Sequence, residues 1–240
     1  METRSDPPEK TMDYKRVIVF GAHPDDELRM APAMAKMAAA GVTVTPVILT
    51  NGCEGFPSEE MRDTIVETRA RESIAAAQVL GTEPYINVGS PDMGLVNDKT
   101  TLKKLIGIIR TLRPQAIFTH GEKERHRDHI ATHDLTLEAS WHAGEPVCAD
   151  LGAPWRTPHL YYYKNTAMDG PVVQYDVTDF AHITPAVYAT QESQHVLFKS
   201  SREKYLQDAE RMRQNPPHTV LRFIIHPWTV LQDFPALDTK

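Results

Sequence analysis

The sequence predicts an α/β fold, a three-layer αβα sandwich with a mainly parallel sheet. Three observations carry that prediction. Short β-rich apolar runs alternate with longer segments of helical spacing, and the helical segments close at glycine or before proline. The 240 residues, 41% hydrophobic and 24% charged, are enough for one large soluble domain. Strands separated by helices need crossover connections, and crossovers give parallel neighbours.

In chain order, METRSDPPEKTMDY has no apolar core, so residues 1–14 are expected to be a disordered leader and not a signal peptide. Arg16–Ala22 contains Val-Ile-Val-Phe with little alternation, which suits a strand covered on both faces. From Glu27 to Ala40, Leu28, Met30, Ala31, Met34, Ala35, Met37 and Ala38 have helical spacing, and Gly41 supplies the stop. Val42–Thr50 is the second strand, with Pro46 pointing to an edge or irregular position. The polar loop NGCEGFPSEE leads into a helix from about Met61 to Leu80, closed by Gly81. Tyr85–Val88 is a third strand, Thr101–Leu112 a helix ended by Arg113-Pro114, and Gln115–His120 the next strand. A charged loop precedes a helix from about Ile130 to His142. Beyond Ala143 prolines interrupt the pattern; LYYYKN and VVQYDVTDF read as short strands and Gln191–Met212 as one helix. No linker or repeat divides the chain. Residues 15–240 therefore read as one Rossmann-like domain, with about 145–240 less regular and completing the fold and the substrate pocket.

Composition excludes several partners. A formal net charge of -6 and a pI near 6.0, with dispersed Lys and Arg, argue against nucleic acid. No apolar stretch is long enough for a membrane span. The two cysteines, Cys53 and Cys148, form neither a disulfide framework nor a C-x-x-C site, so reduced thiols in a cytoplasmic protein are expected.

Ligands of open parallel sheets bind beyond the carboxyl ends of the strands. The loops Ala22–Glu27, Asn51–Phe56 and Gly121–His129 leave such ends and should converge. The first holds His23-Pro24-Asp25-Asp26-Glu27, where adjacent carboxylates repel unless a cation or proton intervenes. A dinucleotide would need glycines and free backbone N–H groups here, and Pro24 has none. A divalent metal is the natural guest. An imidazole with a carboxylate suits Zn²⁺, whereas Mg²⁺ and Ca²⁺ prefer oxygen shells. His23 and Asp26, three apart, can reach one point, and His126-Arg127-Asp128-His129 opens on the same sheet edge to offer a third ligand, His129. Spacing does not decide between Asp25 and Asp26, and either alone could simply cap the helix. His120, His133 and the later histidines through His218 read as ordinary polar residues.

These residues resemble the LmbE/PIG-L family of zinc-dependent N-deacetylases over roughly Val17 to Ala143. The resemblance rests on A-H-P-D-D-E at Ala22–Glu27, V-I-L-T-N-G at Val47–Gly52 and R-A-R-E at Arg69–Glu72. It continues with A-x-x-L-G at Ala77–Gly81, P-D-x-x-L at Pro91–Leu95 and H-x-D-H at His126–His129, where Arg127 replaces the common proline. It implies that His23, Asp26 and His129 bind zinc, that Asp25 is the general base, and that His126 is the general acid or the electrostatic partner of the tetrahedral intermediate. Asp128 would orient His126, and Arg69 and Asp92 would contact substrate hydroxyls; the competing role for Arg69 is a helical pair with Glu72. The implied reaction is hydrolysis of an N-acyl group, an acetamide above all, on an amino sugar or sugar-like amine. The resemblance also admits a homo-oligomer, trimer or hexamer.

Departures from the family fall around the pocket. Leu28-Arg29-Met30-Ala31-Pro32 replaces a glycine-rich stretch, Cys53 stands where an acid is frequent, and Gln191-Glu192-Ser193-Gln194 lacks the histidine of H-x-S-Q. Two rivals remain: a non-catalytic metal-binding or regulatory protein, and an amidase for a non-sugar N-acyl substrate. A structural zinc would want four protein ligands. Phosphoryl chemistry would want oxygen-rich ligation of Mg²⁺, which His23 and His129 oppose.

Overall fold

Continuous burial along the first strand, with successive side chains entering opposite cores, fixes the layers. In the computed structural model, which describes residues 14–163, 170–227 and 229, β1 (Arg16–Gly21) sends Val17 and Val19 into one core and Ile18 and Phe20 into another. The first core is completed by α1 (Ala31–Ala39), with Met34 and Met37, and by α5 (Ile183–Tyr188), with Val187. The second is completed by α3 (Lys99–Leu112), with Leu105 and Ile109, and by α4 (Arg127–Ala143), with Leu135 and Ala139. Helices thus cover both faces of one sheet, as the sequence predicts.

The remaining strands are β2 (Thr43–Thr50), β3 (Ile86–Ser90), β4 (Ala116–Thr119), β5 (His159–Tyr163), β6 (Val172–Asp176) and β7 (Val220–Ile225). The seven-stranded sheet has the order β3-β2-β1-β4-β5-β7-β6. Pairings from β3 to β5 are parallel, and β7 runs antiparallel to both β5 and β6. The chain leaves β1 toward β2 on one side and later enters β4 on the other. That reversal opens a crevice at the carboxyl ends of β1 and β4, where Ala22–Glu27 and the loop before α4 lie.

Several local expectations change. Pro46 takes the irregular position and not the edge: β2 lies between β1 and β3, Pro46 pairs with Val19, and the ladder to β3 starts only at Val47. The first helix begins as a 3-10 turn, Asp26–Met30, and becomes α-helical at Ala31. The expected helix over 191–212 is broken. Glu192–Gln194 is a 3-10 turn, Lys199 has a φ of 51°, and α6 (Arg202–Gln214) starts at its own cap, where Ser201 accepts from the Lys204 N–H. α5 and β7, finally, have no counterpart in the sequence reading. Residues 1–13 of the expected leader lie outside the described residues, while the Tyr14 hydroxyl is 2.7 Å from that of Tyr161. Among the described residues no helix is long and apolar enough to cross a membrane.

Arg110 fastens the second layer. It is 4% exposed, and its guanidinium donates to the carbonyls of Ala143, Cys148, Gly152, His142, Glu145 and Val147, closing the end of α4 and the loop beyond it. Arg110→Met is expected to lower the unfolding free energy by about 3–5 kcal/mol, because several buried carbonyls lose their donor at once. Denaturant melts check this; a loss below about 1 kcal/mol would contradict it.

Candidate active site and metal centre

The turn after β1 is built to aim carboxylates into the crevice. Asp25 adopts a φ of 115°, a left-handed conformation that costs a non-glycine residue about 1–3 kcal/mol. Glu27 supports it from below: its Oε2 accepts from the Asp25 N–H at 3.3 Å, and its Oε1 from the Tyr85 hydroxyl at 2.6 Å. Burial pushes the Glu27 carboxyl up to about 8, against the hydrogen bond from Tyr85. Neither Asp25 nor Asp26 caps the following turn through its side chain in the way a simple helix start would require.

Asp26 Oδ2 is the point of convergence. It accepts from the His23 N–H at 2.8 Å and lies 3.2 Å from His23 Nδ1, 3.2 Å from His129 Nε2 and 3.5 Å from His120 Nε2. Burial alone would raise Asp26, but contacts with His120, His129 and His23 hold it well below the usual carboxylate range. Burial would likewise lower His23, yet Asp26 and Asp128 raise it to about 9. Imidazole nitrogens gathered around one carboxylate oxygen need either protons or a shared cation between them. The three expected metal ligands, His23, Asp26 and His129, therefore come together. Ligand atoms of His23, His126 and His129 lie within 4.8 Å of one another, as do those of Asp26, His120 and His129. Two or three imidazoles with one carboxylate, converging from two loops, fit a divalent metal of the kind held by mixed nitrogen and oxygen ligands.

Asp25 lies beside this cluster and points at Arg69. Arg69 on α2 (Ile65–Leu80) is 3% exposed; its Nη2 is 2.8 Å from Asp25 Oδ2 and also donates to the Pro24 carbonyl. Burial pushes Asp25 up to about 6, against the pull of Arg69. Gly52 permits that approach: its φ is 76°, and a Cβ there would sit 2.8 Å from Arg69 Cδ. Asp92, expected with Arg69 as a substrate contact, spends its oxygens on backbone. Oδ1 accepts from Gly52 N–H at 2.9 Å and Oδ2 from Glu54 N–H at 3.1 Å. The helical partner considered for Arg69, Glu72, accepts instead from the Ser193 N–H at 2.6 Å and hydroxyl at 2.7 Å. Gln194 reaches the Gly55 carbonyl at 2.8 Å, so the Q-E-S-Q segment is clasped to the walls of the site.

The H-x-D-H motif forms the start of α4, earlier than the sequence predicts. His126 is its cap, with Nδ1 accepting from the Asp128 N–H at 3.2 Å. Its side chain is 40% exposed and its ring stands edge-on to that of His23, centroids 4.6 Å apart. Burial and the neighbouring His23 and His129 lower its pKa, favouring a neutral ring. Asp128 is fully buried. Its Oδ2 is 3.0 Å from His23 Nε2, accepts from Met93 N–H at 2.7 Å, and stands 4.0 Å from His126 Nδ1, so its nearest imidazole is that of His23.

Two residues at the cluster escape the sequence reading. His120, 2% exposed, accepts from the Ala22 N–H at 3.2 Å and stacks on His129 with centroids 4.2 Å apart. Glu124 lies 3.4 Å from His129 Nδ1, and contacts with His120 and then His129 hold its carboxyl down to about 2. The signal available for His120 was its place as the last residue of a strand run; a charged stretch such as Lys123-Glu124-Arg125 offers none.

Residues 18–140, just over half of the chain, match the family model for PIG-L, GlcNAc-PI de-N-acetylase. The chain belongs to the PIG-L family. Among relatives, a 1D-myo-inositol 2-acetamido-2-deoxy-alpha-D-glucopyranoside deacetylase of Thermobispora bispora is 31% identical over 180 residues, 63% of this chain and 59% of its own. The chain thus spans about three fifths of the length of the curated relatives it matches. Among solved structures, the N,N'-diacetylchitobiose deacetylase of Pyrococcus horikoshii superposes with a TM-score of 0.76 at 22% identity, covering 93% of this chain and 88% of that one. GalB of Pseudomonas putida KT2440, a 4-carboxy-2-hydroxymuconate hydratase, gives 0.70 at 21% identity, covering 88% and 95%. At such identities the likeness concerns the fold. A hydratase and a deacetylase share this fold, so the site and not the fold decides the activity.

Proposed function

We propose that this PIG-L protein is a zinc-dependent N-deacetylase that releases acetate from an N-acetylated amino sugar or sugar-like amine. One observation carries the reading: a half-buried carboxylate, Asp25, is held by the buried Arg69 immediately beside the His23, Asp26 and His129 cluster. His23, Asp26 and His129 would hold the metal. Bound zinc would act as a Lewis acid and bring the pKa of a coordinated water from about 15.7 to about 7.

The chain's own residues do the rest. Asp25, with its carboxyl raised by burial, takes a proton from the attacking water as the C–O bond to the acetamide carbon forms. His126, exposed at the rim, faces the developing oxyanion. The C–N bond then breaks while the amine receives the proton that Asp25 took up, leaving acetate and a free amine, and the neutral His126 stays a hydrogen-bond donor to the oxyanion. Arg69 and Asp92 shape this site from behind, Arg69 by aiming Asp25 and Asp92 by bracing the Gly52–Glu54 turn. A cytoplasmic setting suits the two free thiols, and assembly into a homo-oligomer belongs to the same proposal.

Zinc-loaded protein is expected to release acetate and primary amine in equal amounts from at least one of N-acetylglucosamine, N,N'-diacetylchitobiose and an N-acetylglucosaminyl inositol. Fluorometric amine detection with an acetate assay checks this. Bound zinc with no hydrolysis across that panel would favour the non-catalytic or non-sugar alternatives.

A further inference from the structure

We propose that Glu124 is a positioning residue for the metal centre: its carboxylate lies across the outer nitrogens of His129 and His120 and fixes how both rings face Asp26. The inference rests on the metal reading above and adds residues which neither the motifs nor the resemblance assign.

Glu124 Oε2 is 3.4 Å from His129 Nδ1, and Oε1 is 4.0 Å from His120 Nδ1. The opposite nitrogens point inward: His129 Nε2 lies 3.2 Å and His120 Nε2 3.5 Å from Asp26 Oδ2. His120 Nε2 also accepts from the Ala22 N–H, so that nitrogen carries the lone pair and the proton sits on Nδ1, on the Glu124 side. The two rings stack at an interplanar angle of 22°, so one carboxylate can serve both outer edges. His129 held in the same tautomer presents a lone pair from Nε2 toward the cluster, as a ligating imidazole must.

The arrangement is matched across the cluster. Asp128 Oδ2, 3.0 Å from His23 Nε2, leaves His23 Nδ1 facing Asp26. Each of the two candidate histidine ligands is thus backed by its own carboxylate, Asp128 for the first turn and Glu124 for the loop after β4. The His120 ring adds a mechanical link. Its inner nitrogen receives the backbone of Ala22, and its carbonyl is 3.0 Å from His133 Nδ1, inside α4. Glu124 therefore aligns a ligand and the strut that ties the opening turn to the second loop.

The test is zinc affinity, read by competition of the metal-free protein with a chromophoric chelator for Zn²⁺ alone, alongside the Tm of each metal-free protein. Glu124→Ala is expected to weaken zinc binding by about 10–100-fold, the scale for an outer-shell partner, with the metal-free protein still folded and its Tm lowered only slightly by the lost contacts to His120 and His129. Glu124→Gln, whose amide oxygen still accepts the imidazole N–H, should recover part of that loss. Wild-type zinc binding with Glu124→Ala and Glu124→Gln both within about twofold of it would overturn this inference and leave the deacetylase reading standing. A wild-type protein that takes up no zinc would overturn both.

Discussion

Asp25→Asn is expected to keep zinc bound and to slow amine release by about two to four decades, the range for losing a general base. Asparagine retains the shape of the side chain and an oxygen for Arg69, but it cannot accept a proton from water. The more drastic Asp25→Ala should fall as far in rate and also lose stability. It leaves the Arg69 guanidinium, buried at 3% exposure, without the carboxylate 2.8 Å away. The pair of variants thus separates chemistry from support. Zinc content, Tm and amine-release rate together read the outcome; an Asp25→Asn protein hydrolysing within about tenfold of wild type would remove Asp25 from the role of base.

His129→Ala is expected to lose metal first and activity with it. His129 supplies an inward nitrogen 3.2 Å from Asp26 Oδ2, and it is one of only three expected protein ligands. Its removal should weaken zinc binding by more than the roughly 100-fold upper end for an outer-shell partner such as Glu124. Thermal stability offers an independent readout. At a free zinc concentration about 1,000 times Kd, the ion should stabilise wild type by about 4 kcal/mol, and a chelator should remove that increment. In His129→Ala, zinc and chelator should give nearly the same Tm. A variant whose Tm still rises on zinc addition as wild type does would show the metal to be held elsewhere.

Much of this site was readable because its chemistry sits in contiguous words. A-H-P-D-D-E follows a run too apolar to be anything but a buried strand, and H-x-D-H follows the next strand on the same sheet edge. Parallel topology then brings Ala22–Glu27 and His126–His129 together without any further information. What escaped was decided by contacts distant in sequence. His120 becomes part of the cluster only because Ala22 and His129 pack on either side of it. Glu124 looks solvated until the loop folds back over two imidazoles. The helix expected over 191–212 gives way to a 3-10 turn where Glu72, more than a hundred residues earlier, accepts from the N–H and the hydroxyl of Ser193. Asp128 shows the limit of a motif: adjacency suggested service to His126, whereas three-dimensional packing sets its carboxylate 3.0 Å from His23. The missing N–H of Pro46 points to an edge or an irregular position, and the ladder to β3 begins one residue later, so an interior strand tolerates it.

The most direct measurement is anomalous scattering at the zinc edge from crystals grown with Zn²⁺. One strong peak is expected, enclosed jointly by His23, Asp26 and His129, with Asp25 beside it and not among the ligands. A peak absent from that cluster, or one held by Asp26, His120 and His129 without His23, would contradict that expectation.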